Sequence, residues 1–301
     1  MDKVLVICGA TASGKTKLAV DCAEMLNTEI ISADSQQIYK KLNIGTAKPT
    51  KKEMRGIKHH LIDVAEPCGN FSVSDYVELA EPIIEDLQSR GKIPIICGGT
   101  GFYINSLLYD LSYGNIAADE TIREKYAAVF NDKGGEYLHS LLKNVDPETA
   151  QKLHPNDVKR VIRALEIYEV GGKRKSEIRD DNSPRRNYVA VAINYPREEL
   201  YDRINRRVDE MFECGLVEEV ERLLESGVDE NCQCMQAIGY KEVVQGLKNK
   251  EKRSTMCDII KQNTRRYAKR QITFFKKLKN LVWLDPEEVT CERVTELING
   301  N

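Results

Sequence analysis

The octapeptide Gly9-Ala10-Thr11-Ala12-Ser13-Gly14-Lys15-Thr16 directly follows the apolar run Val4-Leu5-Val6-Ile7. No other stretch of the chain restricts the possible folds so sharply. It fits the strand–GxxxxGK[ST]–helix pattern of a phosphate-binding loop. Gly9 and Gly14 permit backbone angles closed to other residues, so successive N–H groups can converge on an oxygen-rich anion. The loop then feeds the N-terminus of a helix expected over residues 15–26, whose free amides and dipole favour negative charge. Lys15 adds a mobile cation, and the Thr16 hydroxyl is a ligand for a divalent metal such as Mg2+. A plain glycine-rich turn is the alternative, but the flanking strand and amphipathic helix argue for a di- or triphosphate site.

Short apolar runs alternate with helical patterns through the first third. Strands are expected at residues 4–7, 29–32, 60–64 and 93–97, and helices at 15–26 and 74–90. That alternation implies a doubly wound, mostly parallel α/β sheet. In such sheets ligands gather beyond the carboxyl ends of the strands. The rule selects the phosphate loop, the stretch Ala33-Asp34-Ser35-Gln36-Gln37-Ile38-Tyr39, and Gly98-Gly99-Thr100-Gly101-Phe102-Tyr103. Asp34 reads equally as the N-cap of a short helix through Gln36 and Ile38 or as a catalytic base. Thr100 reads as a helix cap before residues 103–109, or, with the double glycine, as part of a surface that a ligand approaches closely.

Near Leu111 the pattern changes. Strand signals vanish until residues 188–193, and helices are expected at 120–131, 136–143, 147–153 and 157–170. The chain therefore divides into an α/β core (residues 1–112), a helical insert (113–187) and a continuation of the core (188–301). In the helix at 157–170, Lys159, Arg160 and Arg163 stand opposite an apolar face made by Val158, Val161, Ile162, Leu165 and Tyr168, with Arg123 earlier in the insert. A solvated helix face explains such charges, and so does phosphate contact. After the strand at 188–193, a helix over 196–212 carries Arg203, which either pairs with Glu199 one turn away or reaches the phosphate loop. Helices at 216–225 and 254–279 and a strand at 281–284 complete the pattern. Between Ile259 and Leu284 there are eight Lys or Arg and no Asp or Glu.

Composition narrows the function classes. A formal charge of −2 gives no global nucleic-acid signature, so any basic surface is local. Nine cysteines without a CxxC pair, and four histidines without ligand spacing, argue against a Cys/His metal site. No stretch approaches the ~20 apolar residues of a membrane span, and no signal peptide is expected before the first strand. The expectation is a cytoplasmic protein that does not engage membranes.

Taken in order, these residues resemble the bacterial tRNA dimethylallyltransferase (tRNA isopentenyltransferase) family. The resemblance runs from the octapeptide at 9–16 through Asp-Ser-Gln-Gln-Ile-Tyr at 34–39 and Ile-Gly-Thr-Ala-Lys-Pro at 44–49. It continues through Phe71-Ser72-Val73-Ser74-Asp75-Tyr76 and Gly-Gly-Thr-Gly-Phe-Tyr at 98–103. Later come His154-Pro155-Asn156-Asp157 with Arg160 and Arg163, Tyr201-Asp202-Arg203-Ile204 with Arg207, Gln236-Ala237-Ile238-Gly239-Tyr240-Lys241, and Tyr267-Ala268-Lys269-Arg270-Gln271. Where the family opens its loop Gly-Pro-Thr, this chain has Gly9-Ala10-Thr11, which removes some rigidity but no phosphate ligand.

The resemblance implies transfer of a dimethylallyl group from dimethylallyl diphosphate to the 6-amino nitrogen of an adenosine. That adenosine lies 3′ of the anticodon in tRNAs reading codons that begin with uridine. It implies Asp34, Thr100 and Arg203 as catalytic residues, diphosphate bound by residues 9–16, and Mg2+ on Thr16. It implies a tRNA anticodon stem-loop held by Asp34, Ser35, Gln36, Gln37, Thr100, Arg123, Lys159, Arg160, Val161, Ile162, Arg163, Gln236, Ala237, Ile238, Gly239, Tyr240 and Lys241. Arg123 departs by about one residue from the family spacing. A monomer is expected. Three other readings fit parts of the pattern: a small-molecule kinase, a prenyltransferase acting on free AMP or ATP, and a nucleic-acid-binding ATPase. None accounts for the phosphate loop, the basic insert and the 236–241 segment together.

Overall fold

The computed structural model describes residues 3–110, 116, 118–178 and 181–300. The described chain clusters into two compact units, one built from residues up to Leu108 and from Pro184 onward, the other from Tyr109–Ser183. The boundary expected at residues 112–113 lies outside the described residues.

The first unit contains β1 (Lys3–Cys8), α1 (Lys15–Met25), β2 (Ile30–Ser32), α2 (Lys51–Met54), β3 (His59–His60), α3 (Val73–Ser89), β4 (Ile95–Gly98) and α4 (Gly101–Leu108). The second contains β5 (Tyr109–Asp110), α5 (Glu120–Val145), α6 (Pro147–Lys152) and α7 (Val158–Gly171), and β5 pairs with β6 (Asp181–Pro184) in a two-stranded ribbon. The first unit resumes with β7 (Asn187–Ile193), α8 (Arg197–Glu213), α9 (Leu216–Glu225), α10 (Tyr240–Lys248), α11 (Arg253–Phe275), β8 (Leu281–Leu284) and α12 (Cys291–Gly300).

Six strands form one sheet in the order β3-β2-β4-β1-β7-β8, and every neighbouring pair is parallel. Val4 through Cys8 are fully buried, as a central parallel strand covered on both faces requires. One face is closed by Leu18, Ala19 and Cys22 of α1 with Val294 and Ile298 of α12. A second core packs Ile38, Tyr39 and Leu42 against Val208, α9, α10 and Ile260. Each fully buried aliphatic side chain contributes about 1.5–3 kcal/mol.

Sheet order decides where a ligand can bind. Because β2, β4 and β1 are adjacent, the loops beyond their carboxyl ends meet above the sheet. These are the loops that carry Asp34, Thr100 and the phosphate-binding octapeptide.

The structure departs from the expected elements at a few places. The strand expected over 60–64 stops at His60, because Leu61 (φ 60°) and Asp63 (φ 58°) turn the backbone into the left-handed region. The chain then runs beside residues 37–39, with the Val64 and Ala65 amides both donating to Ile38 O. The helix expected over 254–279 ends at Phe275, where the amides of Lys277 and Leu278 turn back onto Phe274 and Phe275 in tighter turns. Short α2, α10 and α12 carry no signal that was read from the sequence.

Candidate functional site

The phosphate loop has the backbone its glycines predict. Gly9 (φ 125°) and Gly14 (φ 87°) lie in the left-handed region, and so does Ala12 (φ 62°), where a side chain makes the conformation costly. Two side chains from distant helices hold that shape. Arg203 on α8 donates from Nε to Ala12 O (2.9 Å), its guanidinium lying over the Tyr195 ring at 4.5 Å. Gln271 on α11 accepts from the Thr11 amide (2.9 Å) and donates to Gly99 O (2.9 Å). Gln271 therefore fastens the β1 loop to the β4 loop, a role that its place in a basic helical run does not reveal.

The glycines of the β4 loop are demanded by packing, and Gly98 and Gly99 also line the cavity described below. A Cβ on Gly98 would lie 2.1 Å from Ala33 O, one on Gly99 would lie 2.3 Å from Gln271 Nε2, and one on Gly101 would strike the Phe274 ring. Thr100 is not a side-chain cap for its own helix either. Its hydroxyl accepts from the Ser35 amide (2.9 Å) and donates to Ser35 Oγ (3.2 Å), so it fixes the turn after Asp34.

No helix follows Asp34; its side chain instead caps a turn. Its Oδ1 accepts from the amides of Gln36 (2.9 Å) and Gln37 (3.3 Å). Its other oxygen has no partner among the described residues and is available for a proton. Gln37 in turn donates to Thr46 O and Ala47 O (3.3 Å each), tying the turn to the loop at 43–49.

These parts surround one cavity of about 480 Å3, whose lining includes the phosphate loop, Asp34, Gln37, Gly99, Arg203, Arg207 and Gln271. It holds more positive charge than its own groups neutralise. Burial, and then the nearby Arg207 guanidinium, hold the Lys15 amine below its usual range, against the pull of Cys97 and Asp34. Burial likewise lowers Arg207, opposed by Asp34, Glu210 and Glu53. Arg207 makes no hydrogen bond or ion pair among the described residues. Five Lys or Arg side chains (Lys15, Lys17, Arg203, Arg206 and Arg207) against three carboxylates (Asp34, Glu53 and Glu210) favour a multiply charged anion in the cavity. Arg207 is a site residue that the helical pattern of α8 did not separate from the surface arginines.

No group of three or more His, Cys, Asp or Glu side chains suited to a metal occurs among the described residues. All nine cysteines are free. Thr16 lines the cavity at the end of the phosphate loop, and its hydroxyl oxygen suits a hard divalent cation shared with phosphate oxygens.

The residues expected to contact RNA behave differently from one another. In the second unit Glu166 is completely buried and accepts from the Asp119 amide (2.7 Å), Arg123 Nε (2.9 Å) and Arg163 Nη1 (2.7 Å). Burial raises the Glu166 carboxyl, but bonds from Arg163, the Asp119 amide and Arg123 outweigh it and leave the group below its usual range. Arg163 also donates to Ile116 O (2.8 Å). Val161 is fully buried in the helical core, and Ile162 packs against that core and is half-buried. Lys159 and Arg160 are exposed; Arg160 pairs with Asp157 (3.0 Å), and Lys159 has no ion-pair partner among the described residues. In the 236–241 segment only Gln236 and Lys241 are exposed. Ala237, Gly239 and Tyr240 are buried, and Ile238 is half-buried.

The IPP transferase family model matches residues 37–278. The chain belongs to the IPP transferase family. It is 50% identical over 291 residues to a tRNA dimethylallyltransferase of Acetivibrio thermocellus, covering 96% of this chain and 93% of that one. It is 48% identical over 302 residues to the tRNA dimethylallyltransferase of Caldanaerobacter subterraneus, covering 98% and 96%. Among solved structures, a tRNA isopentenylpyrophosphate transferase of Bacillus halodurans superposes with a TM-score of 0.72 at 42% identity, covering all of this chain and 95% of that one. A eukaryotic dimethylallyltransferase acting on tRNA gives 0.84 at 29% identity, covering all of this chain and 80% of that one. As an IPP transferase the chain is an enzyme with the P-loop α/β fold expected from its sequence. Among the described residues no helix is long and apolar enough to cross a membrane.

Proposed function

We propose that this IPP transferase moves a dimethylallyl group from dimethylallyl diphosphate to the 6-amino nitrogen of the adenosine 3′ of the anticodon, in tRNAs reading codons that begin with uridine. One observation carries the reading: a carboxylate with a free oxygen, Asp34, faces the same cavity as the phosphate loop and two under-neutralised cations, Lys15 and Arg207. A kinase needs its phosphate loop to hold a phosphoryl donor. Here the loop is better suited to a diphosphate that departs.

In the proposed step the allylic carbon–oxygen bond breaks and a carbon–nitrogen bond forms. The electron pair of the broken bond leaves with diphosphate, and the proton of the attacking amine passes to Asp34. Loop amides, Lys15, Arg203 and Arg207 bear on the negative charge that grows on the leaving group. Mg2+ held by Thr16 and the diphosphate oxygens would supply further neutralisation there. The adenine amine is a weak nucleophile, its lone pair being delocalised into the ring, so proton acceptance by Asp34 is expected to supply about 10²–10⁴-fold. Thr100 keeps the carboxylate aimed by holding Ser35. A base within a folded loop cannot reach this carboxylate, so extrusion from the stack is expected, at a cost of about a few kcal/mol.

Exposed Lys159, Arg160, Gln236 and Lys241 are the side chains best placed to meet RNA directly. Arg123 and Arg163 would offer only the guanidinium nitrogens that Glu166 and Ile116 leave free. The enzyme is proposed to act as a monomer in the cytoplasm. The test uses labelled dimethylallyl diphosphate with an anticodon stem-loop, the same donor with AMP, and ATP alone. Label transferred to the stem-loop supports the reading; transfer to AMP and not to RNA defeats it.

A further inference from the structure

Glu219, on the first turn of α9, is 5% exposed and belongs to none of the sequence motifs. Its carboxylate accepts from three successive amides, Asn43 (3.1 Å), Ile44 (3.0 Å) and Gly45 (3.3 Å), and from the Tyr240 hydroxyl (2.6 Å). Four donors meet the roughly four lone-pair sites of an ionised carboxylate, so the group is saturated and has no capacity left for a ligand. The arrangement is an anion-binding nest of consecutive N–H groups whose anion is a side chain of the protein itself. Burial, and then the facing Glu219 charge, push the Tyr240 phenol far above its usual range, which keeps it a donor.

The two segments that Glu219 joins are the motif at 44–49 and the segment at 236–241. They fit so closely that a Cβ on Gly45 would lie 2.4 Å from the Tyr240 ring. The first segment also forms part of the reaction cavity. Ala47 and Pro49 line it, and the carbonyls of Thr46 and Ala47 hold the Gln37 amide, whose backbone N–H is bound by Asp34. A continuous path of hydrogen bonds thus leads from α9 through the 43–47 turn to the carboxylate of Asp34.

We infer that Glu219 is a positioning residue: by holding the 43–45 amides and Tyr240 on one carboxylate, it sets the place of Gln37 and Asp34 relative to the segment that carries Gln236 and Lys241. Its importance for transfer rests on the function proposed above; its grip on the loop does not. The loop has independent closures, with Thr46 Oγ1 donating to Leu42 O (2.8 Å) and Lys48 Nζ to Tyr39 O (2.9 Å). Glu219→Gln is therefore expected to fold.

The experiment has two arms on the full-length enzyme. Amide exchange across residues 43–47 is expected to speed up at least tenfold in Glu219→Gln, because a neutral amide side chain cannot accept from four donors. Single-turnover transfer to an anticodon stem-loop, at saturating RNA and donor, is expected to fall at least tenfold. Affinity for dimethylallyl diphosphate, set at the phosphate loop, should stay within about twofold. Tyr240→Phe, which removes one donor of the four, should move both readouts the same way by a smaller factor. Unchanged exchange at 43–47 overturns the inference whatever the enzyme transfers. Faster exchange with an undiminished rate overturns it too, and so does a rate loss matched by an equal loss of donor affinity, which marks general damage. If the wild-type enzyme transfers nothing to RNA, the functional proposal falls instead. The exchange arm then still decides whether Glu219 holds the loop.

Discussion

The reaction cavity and the helical unit both bring arginines near carboxylates, yet they distribute charge in opposite ways. In the helical unit Glu166 is buried and fully engaged, and Arg123 and Arg163 spend hydrogen bonds on it. In the cavity Arg207 is desolvated without a hydrogen-bonded partner among the described residues, and Lys15 is held below its usual range. Paired buried charge fixes a shape. Partly desolvated cations without a carboxylate bonded to them favour an anionic ligand, which would offset the cost of desolvation. Residues of the same type, both picked out by the same family resemblance, are thus divided by their partners into architecture and chemistry.

The sharpest way to break the contrast is Asp34→Ala. Single-turnover transfer should fall about 10²–10⁴-fold with stem-loop affinity little changed; a loss below about tenfold would remove the base from the mechanism. Arg207→Ala should come next, lowering the transfer rate by about 10²-fold, the usual effect of deleting one group aimed at developing charge. If the rate holds, the unpaired guanidinium is not serving the leaving group.

Lys15 gives the contrast a pH signature. Its protonated form binds the anion, and the free enzyme holds its pKa below the ordinary lysine range. Bound diphosphate raises that pKa, so affinity should be full below the free-state pKa. It should fall about tenfold per pH unit above it, until the pKa of the complex is reached. Calorimetric titration of diphosphate between neutral and alkaline pH reads this, and Lys15→Met should abolish the slope. A slope that begins only at the ordinary lysine pKa would mean that the cation is not under-neutralised.

The architectural side predicts a different kind of loss. Glu166→Ala should destabilise the helical unit by about 3 kcal/mol in urea denaturation, because it leaves two guanidinium groups without their buried anion. Chemistry at saturating RNA should be nearly intact, and a large drop in single-turnover rate would erase the distinction. The smallest effect belongs to the exposed cation. Lys159→Ala should lower the salt slope of stem-loop binding by about one unit. An unchanged slope would return Lys159 to an ordinary solvated surface.

What could be read from the sequence follows the reach of each interaction. Asp34 and the octapeptide stand out because strand, loop and helix succeed one another along the chain, and parallel sheets put ligands at such junctions. Gly98 and Gly99 could be read as important but not for what, since their neighbours are Ala33 O and Gln271. Gln271 lies in a segment that carries the resemblance but nothing local shows its role, and Glu219 carries no signature at all; their partners lie 260 and about 175 residues away. Arg207 shares a helix with Arg203 and Arg206, and periodicity alone cannot say which of them loses water. The strand expected to run to residue 64 failed because nothing in its composition announces positive φ at Leu61 and Asp63.

The bond between the Thr11 amide and Gln271 has a consequence for the chain during synthesis. A donor and an acceptor 260 residues apart cannot meet until the chain between them exists. The phosphate loop is made well before Gln271, the residue 260 positions later that anchors it to the β4 loop. An unfinished chain therefore lacks this closure of the phosphate loop, and early termination removes it even when Asp34, Lys15 and Thr100 are all present.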